Sequence, residues 1–141
     1  MPVKSSVLDD GRLIVERWEG TVDREALLAR AVERCEDGRI RQGAVLFADY
    51  RAARLGEVRP EHIEELGEAR RRQHVRTAVL VHESDWAQAR AAEVQVEHEG
   101  LEVACFDLLG AKPREMIEAA CHWLGVDPEL VEAELRRLTF A

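Results

Sequence analysis

Lysine is nearly missing from this chain. Of 20 basic residues only Lys4 and Lys112 are lysines, and the arginine excess reads as a compositional bias rather than a functional arginine surface. The basic residues are also outnumbered. With 28 acids the net charge is −8, which excludes a nucleic-acid partner, because neutralising phosphates needs a basic surface. Cysteine is scarce and unpaired. Cys35, Cys105 and Cys121 are odd in number and far apart, so no disulfide framework is expected and a reducing compartment fits. Cys105 sits in an apolar run and Cys121 in a helical pattern; both read as buried, inert thiols. No stretch approaches the ~20 apolar residues that cross a bilayer, so no integral membrane segment is expected. The opening Met1-Pro2-Val3-Lys4-Ser5-Ser6 has no apolar signal core, and the expected location is cytoplasmic.

Recognisable site motifs are lacking too. There is no Gly-x-Gly-x-x-Gly and no Walker loop, and the nine glycines fall in ordinary turns, so no nucleotide or other cofactor is expected. No metal site is expected either. His62, His74, His82, His98 and His122 are scattered, no cysteine pair could hold zinc, and Leu66 stands where a zincin helix would place its second histidine. Linkers, internal repeats and low-complexity stretches are absent.

What is present is a chain of 141 residues, 46% hydrophobic and 34% charged, the profile of one globular domain. It is organised around residues 43–54. Ala44-Val45-Leu46-Phe47-Ala48 runs apolar without interruption and ends in Asp49-Tyr50-Arg51, as a strand buried on both faces would. Before it, residues 3–8 and 12–18 read as an antiparallel pair at a sheet edge, joined through Asp9-Asp10-Gly11. Glu19-Gly20 then breaks the run. Thr21 is the expected cap of a helix carrying Leu27, Leu28, Ala31 and Val32, which closes at Glu36-Asp37-Gly38.

After the 43–49 strand, a loop over 55–59 leads into a helix from Pro60 to Arg72. Thr77–Val81 is a second buried strand. Ser84 or Asp85 then caps a helix with Trp86, Ala89, Ala92, Glu93 and Val96. Leu101–Phe106 is a third buried strand. Lys112-Pro113 opens a helix that ends at Gly125, and Asp127-Pro128 starts a last amphipathic helix over 128–138. The order is ββαβαβαβαα, which predicts a mostly parallel sheet with one antiparallel strand.

This pattern resembles the SpoIIAA-like family, small STAS-type α/β domains related in fold to CRAL-TRIO domains. The residues that carry the resemblance are the early strand pair, Leu46-Phe47-Ala48-Asp49, the helix from Pro60 to Arg72, and Arg76-Thr77-Ala78-Val79-Leu80-Val81. To these are added Val103-Ala104-Cys105-Phe106-Asp107 and Ala119-Ala120-Cys121-His122-Trp123-Leu124. Residues 1–125 would form the SpoIIAA-like domain, with 126–141 a helical extension packed on it. The resemblance implies a superhelical β/α sheet with helices mainly on one face, and a regulatory module that binds a protein partner. In that family the phospho-acceptor is a serine just after an Asp at the end of the central strand. Here the Asp is Asp49, but Tyr50 follows and no Ser or Thr stands nearby, so the serine switch is not carried over.

The residues alone add one constellation. Asp49, Tyr50 and Arg51 end one parallel strand, and His82, Ser84, Asp85 and Trp86 follow the next, so they belong to one end of the sheet. They are the candidate ligand- or partner-binding residues, weighed against helix capping by Ser84 and Asp85 and local pairing of Asp49 with an arginine. Catalytic residues are not assigned, because Ser84 has no Gly-x-Ser-x-Gly elbow. Two alternatives stay open: a carrier of a small hydrophobic ligand (lipid) of CRAL-TRIO type, and a small hydrolase using the 49–51 and 82–85 strand ends. Strands apolar on both faces require something to shield the second face. The order of expectation is the terminal helix, then a homodimer, then a bound lipid.

Overall fold

The computed structural model describes residues 3–55, 76–82, 102–106 and 112–139. Five strands form one sheet: β1 (Val3–Leu8), β2 (Leu13–Val22), β3 (Val45–Leu55), β4 (Arg76–Leu80) and β5 (Val103–Phe106). They lie side by side in the order in which they occur in the chain. β1 runs antiparallel to β2, while the β2–β3, β3–β4 and β4–β5 pairs are all parallel. The described helices are α1 (Arg24–Glu36), α2 (Pro113–Leu124) and α3 (Pro128–Arg137). The fold is therefore α/β, with an antiparallel strand at the edge of a mixed sheet. The helices expected over 60–72 and around Trp86 lie outside the described residues.

Alternation along the strands builds two cores. Leu13, Val15, Phe47, Ala78 and Leu80 face α2 and α3, where they meet Met116, Ile117, Ala120, Val131 and Leu135. Ile14, Trp18, Val22, Leu46, Ala48 and Tyr50 face the other way, and Ala26 and Leu27 of α1 pack on them. Helices mainly on one face were expected, and two of the three described helices share a face. Among the described residues α1 covers one face, and α2 and α3 together cover the other. The terminal helix thus shares its face with α2 rather than shielding a face by itself.

The strand pair at the start holds one surprise. Glu19-Gly20 does not end β2, which continues to Val22 and pairs Gly20 with Ala53 and Thr21 with Arg54. Gly20 keeps the strand going at φ 72°, a left-handed value that glycine tolerates. The start of α1 shifts accordingly. Its cap is Asp23, whose carboxylate accepts from the Ala26 N–H at 2.9 Å, and not Thr21. The C-terminal helices follow the sequence closely. Gly125 ends α2 at φ 76°, and Asp127 caps α3 by accepting from Glu129 N–H at 2.9 Å.

α3 is tied to the β1–β2 edge by polar contacts as well as by its apolar face. Arg17 donates to the Leu135 carbonyl at 2.8 Å, a cation at a helix C-terminus. Ser6 donates to Glu134 at 2.6 Å and accepts from Arg137 at 2.6 Å.

Among the described residues no helix is long and apolar enough to cross a membrane.

Candidate functional site

The end of β3 is a β-bulge. Arg17 pairs with Asp49 and Glu19 with Ala52, so the single residue Trp18 lies opposite both Tyr50 and Arg51. The extra residue reverses the alternation of β3. Beyond it Ala53, rather than Ala52, joins Val22 in the core under α1. β3 therefore runs to Leu55, well past the expected end at residue 49.

The bulge splits the expected constellation. Asp49 follows Val45 and Phe47 in the alternation and belongs to the α2/α3 side, where it is 1% exposed. Both its oxygens are occupied by Arg51: Nε donates to Oδ1 at 2.9 Å and Nη2 to Oδ2 at 2.8 Å. The Arg51 backbone N–H also donates to Oδ1, at 3.0 Å. A carboxylate thus satisfies a donor in the irregular stretch and forms a two-pronged ion pair with the same residue. That hydrogen bonding raises the Arg51 pKa above its ordinary value.

Tyr50 turns to the opposite side of the sheet. It is buried and stacks on Trp18, with ring centroids 5.2 Å apart and an interplanar angle of 20°. His82 is half-buried, two residues beyond the Asp49–Leu80 rung of the β3–β4 ladder. Ser84, Asp85 and Trp86 lie outside the described residues.

Beside Tyr50 is a charge cluster that the sequence reading did not find. Glu16 is fully buried on β2. It accepts from Arg30 Nε at 2.6 Å, from Arg34 Nη1 at 2.8 and 2.9 Å, and from Trp18 Nε1 at 3.2 Å. Arg30 and Arg34 come from α1 and are themselves buried. Burial pushes the Glu16 carboxyl up, but the charges of Arg34 and then Arg30 outweigh it, and the group ends below its ordinary 4.5. Burial likewise opposes charge on Arg34, and the Glu16 carboxylate more than compensates.

The signal was present in the spacing. Arg30 and Arg34 lie one turn apart on the stripe that holds Leu27 and Ala31. Glu16 sits between Ile14 and Trp18 at the same parity. Reading 12–18 as one of a pair of strands at a sheet edge gave Glu16 no role. β3 covers β2 on one side and α1 roofs it, so Glu16 is interior.

These groups hold geometry rather than offer reactivity. Asp49 and Glu16 are both committed to guanidinium groups. The described thiols differ in exposure: Cys35 is exposed, Cys105 half-buried and Cys121 buried. Burial pushes the Cys121 thiol up to about 12, with Asp127 and Glu132 adding to the effect. Among the described residues no group of three or more His, Cys, Asp or Glu side chains could hold a metal ion. No protein-family model matches this chain, and no curated protein matches it.

Proposed function

We propose that the chain is a non-catalytic binding module of STAS type, with its partner surface at the C-terminal ends of β3 and β4 and without a serine switch. The observation that carries this reading is the sheet order. β2, β3, β4 and β5 are parallel and neighbours in sequence order, with β1 antiparallel outside them. A β/α superhelix of the SpoIIAA-like kind is wound in this way.

Two details of the strand end support it. Tyr50, at the acceptor position, is packed under α1 against Trp18 and is not presented as a surface hydroxyl. Asp49 is committed to Arg51 through both oxygens, so orienting His82 as a catalytic base would first require that pair to open.

The test uses a photo-crosslinking residue at exposed Ala52 and, as a control, at exposed Leu130 on α3. A protein trapped from position 52, not from 130, and lost in Arg51→Ala supports the reading. Equal trapping from both positions overturns it. So does a hydrolase activity that disappears in both Ser84→Ala and His82→Ala. A lipid retained in native mass spectrometry of the purified chain would put the carrier reading in its place.

A further inference from the structure

The opposite end of the sheet, where β2 and β3 begin, holds a cleft of about 440 Å³. Three connections meet there: the β1–β2 turn, the loop between α1 and β3, and the α2–α3 junction. The volume lies within the ~300–1,000 Å³ typical of small-molecule sites. The floor is apolar, made by Val45, Leu124 and Val126.

The walls are fixed to one another. The Gly11 carbonyl accepts from Arg41 N–H at 2.9 Å, and the Arg12 carbonyl accepts from Val45 N–H at 2.9 Å. Arg41 Nη2 reaches Asp10 Oδ2 at 2.6 Å. The backbone walls of the cleft are therefore held in place, and a ligand would order chiefly the exposed side chains at its rim.

Its rim carries two opposite charges that do not pair. Asp9 and Arg12 both line the cleft and both are exposed. Neither side chain has a hydrogen bond or an ion pair among the described residues. Between them the chain turns through left-handed values at Asp9 (φ 51°), Asp10 (φ 57°) and Gly11 (φ 87°). A separated acid and base above an apolar floor suit a ligand carrying both charges. Gly125, another lining residue, is the C-cap of α2, so the negative end of that helix dipole lies at the cleft. A bare anion would be disfavoured there, whereas an ammonium group would be welcome.

We propose that this cleft binds a small zwitterion with an apolar body, namely an amino acid with an aliphatic side chain. Its carboxylate pairs with Arg12, and its ammonium pairs with Asp9. The side chain covers Val45, Leu124 and Val126. The site lies at the far end of the sheet from the partner surface, and its ligand does not depend on the partner reading.

The test is an NMR titration of the full ¹⁵N-labelled chain with L-leucine, N-acetyl-leucine, leucinamide and sodium phosphate. Leucine should shift amides of residues 9–12, 41–45 and 124–126 in a saturable way. Each blocked analogue loses one charged pair and should bind about tenfold more weakly. Arg12→Gln and Asp9→Asn should each weaken leucine by about the same factor, while Glu36→Gln on α1 should not. Both side chains are exposed and unpaired among the described residues, so these variants keep the fold, and unchanged amides elsewhere verify it. The proposal is overturned by the absence of a saturable shift, by equal binding of the blocked analogues, or by phosphate shifting the same amides as strongly as leucine.

Discussion

Trp18 of β2 and Tyr50 of β3 stack across the parallel strand pair, with their ring centroids 5.2 Å apart. The contact sits on the bulge, where Trp18 faces two residues of β3. It joins the irregular end of the central strand to the core under α1, and it adjoins the buried charges through Trp18 Nε1 and Glu16 Oε1.

Tyr50→Ala removes a buried ring from that junction. The loss of apolar contact and the cavity left behind should cost about 3–5 kcal/mol in urea unfolding. A cycle pairing Tyr50→Leu with Trp18→Leu should show a coupling of about 1 kcal/mol for the stack. Additivity within error would mean that the two rings merely fill space side by side.

Glu16→Gln leaves buried Arg34 without its counter-charge and Arg30 with only exposed Glu33, at 3.2 Å. Breaking one side of a buried ion cluster costs about 3–5 kcal/mol, because the remaining charges are desolvated and unpaired. Replacing the whole cluster by Glu16→Met, Arg30→Leu and Arg34→Met should recover most of that loss, since the desolvation cost disappears with the charges. Denaturant midpoints of the single and triple variants decide the matter. A Glu16→Gln midpoint close to that of the parent chain would show that the bonds from Arg30 and Arg34 to Glu16 contribute little to holding α1 on the sheet.

The parts of the fold that were legible are those encoded by local pattern. The turn signal Asp9-Asp10-Gly11 separated β1 from β2, the apolar run Ala44–Ala48 marked the start of β3, and Pro113, Gly125, Asp127 and Pro128 marked both C-terminal helices. What escaped depends on pairing between distant segments. A bulge at Tyr50-Arg51 exists only relative to Trp18, and Gly20 remains in a strand only because Ala53 pairs with it. Glu16 is interior only because α1 returns over it with Arg30 and Arg34 on its inner face. Local propensity carries no record of these partners. In the candidate site, local pairing of Asp49 with an arginine had been weighed against a ligand role, and the arginine is Arg51.

Among the described residues three carboxylates are held below their ordinary values. Glu16 titrates below 4.5 because Arg34 and Arg30 outweigh its burial. Glu134 is also held below 4.5, first by the hydrogen bond from Arg137 and against a burial penalty, with Ser6 assisting. Hydrogen bonds from the Arg39 side chain and backbone bring half-buried Asp37 down from 3.8 to about 2. All three bind protons less readily folded than unfolded. Their stabilisation is thus complete above the unfolded values and is lost as the pH falls through the folded ones. Carboxylate NMR titration should place Asp37 at about 2 and Glu134 below 4.5. Arg39→Gln should return Asp37 toward 3.8, and Glu134→Gln should flatten the fall in stability below pH 4.5. A Glu134 midpoint at or above 4.5 would contradict its latch to Arg137 and Ser6.

Gly11 and Gly20 both hold left-handed backbone, at φ 87° and 72°, but their surroundings differ. A Cβ at Gly11 would lie 2.2 Å from the Arg39 carbonyl oxygen, a backbone atom that cannot swing away, whereas nothing lies within 4 Å of one at Gly20. Gly20→Ala should therefore cost only the left-handed penalty of about 1–2 kcal/mol. Gly11→Ala adds a backbone clash, and relief requires the β1–β2 turn to part from the loop that begins β3. That parting breaks the Arg41 N–H to Gly11 carbonyl bond and pulls on the Arg12 carbonyl to Val45 N–H bond. Gly11→Ala should accordingly be the more destabilising by at least about 1 kcal/mol, the net worth of one such bond. Its amide exchange should rise first at Arg41 and Val45. Equal thermal midpoints for the two alanine variants would mean that the two connections yield to each other without cost, and that the walls of the cleft beside them are not rigid.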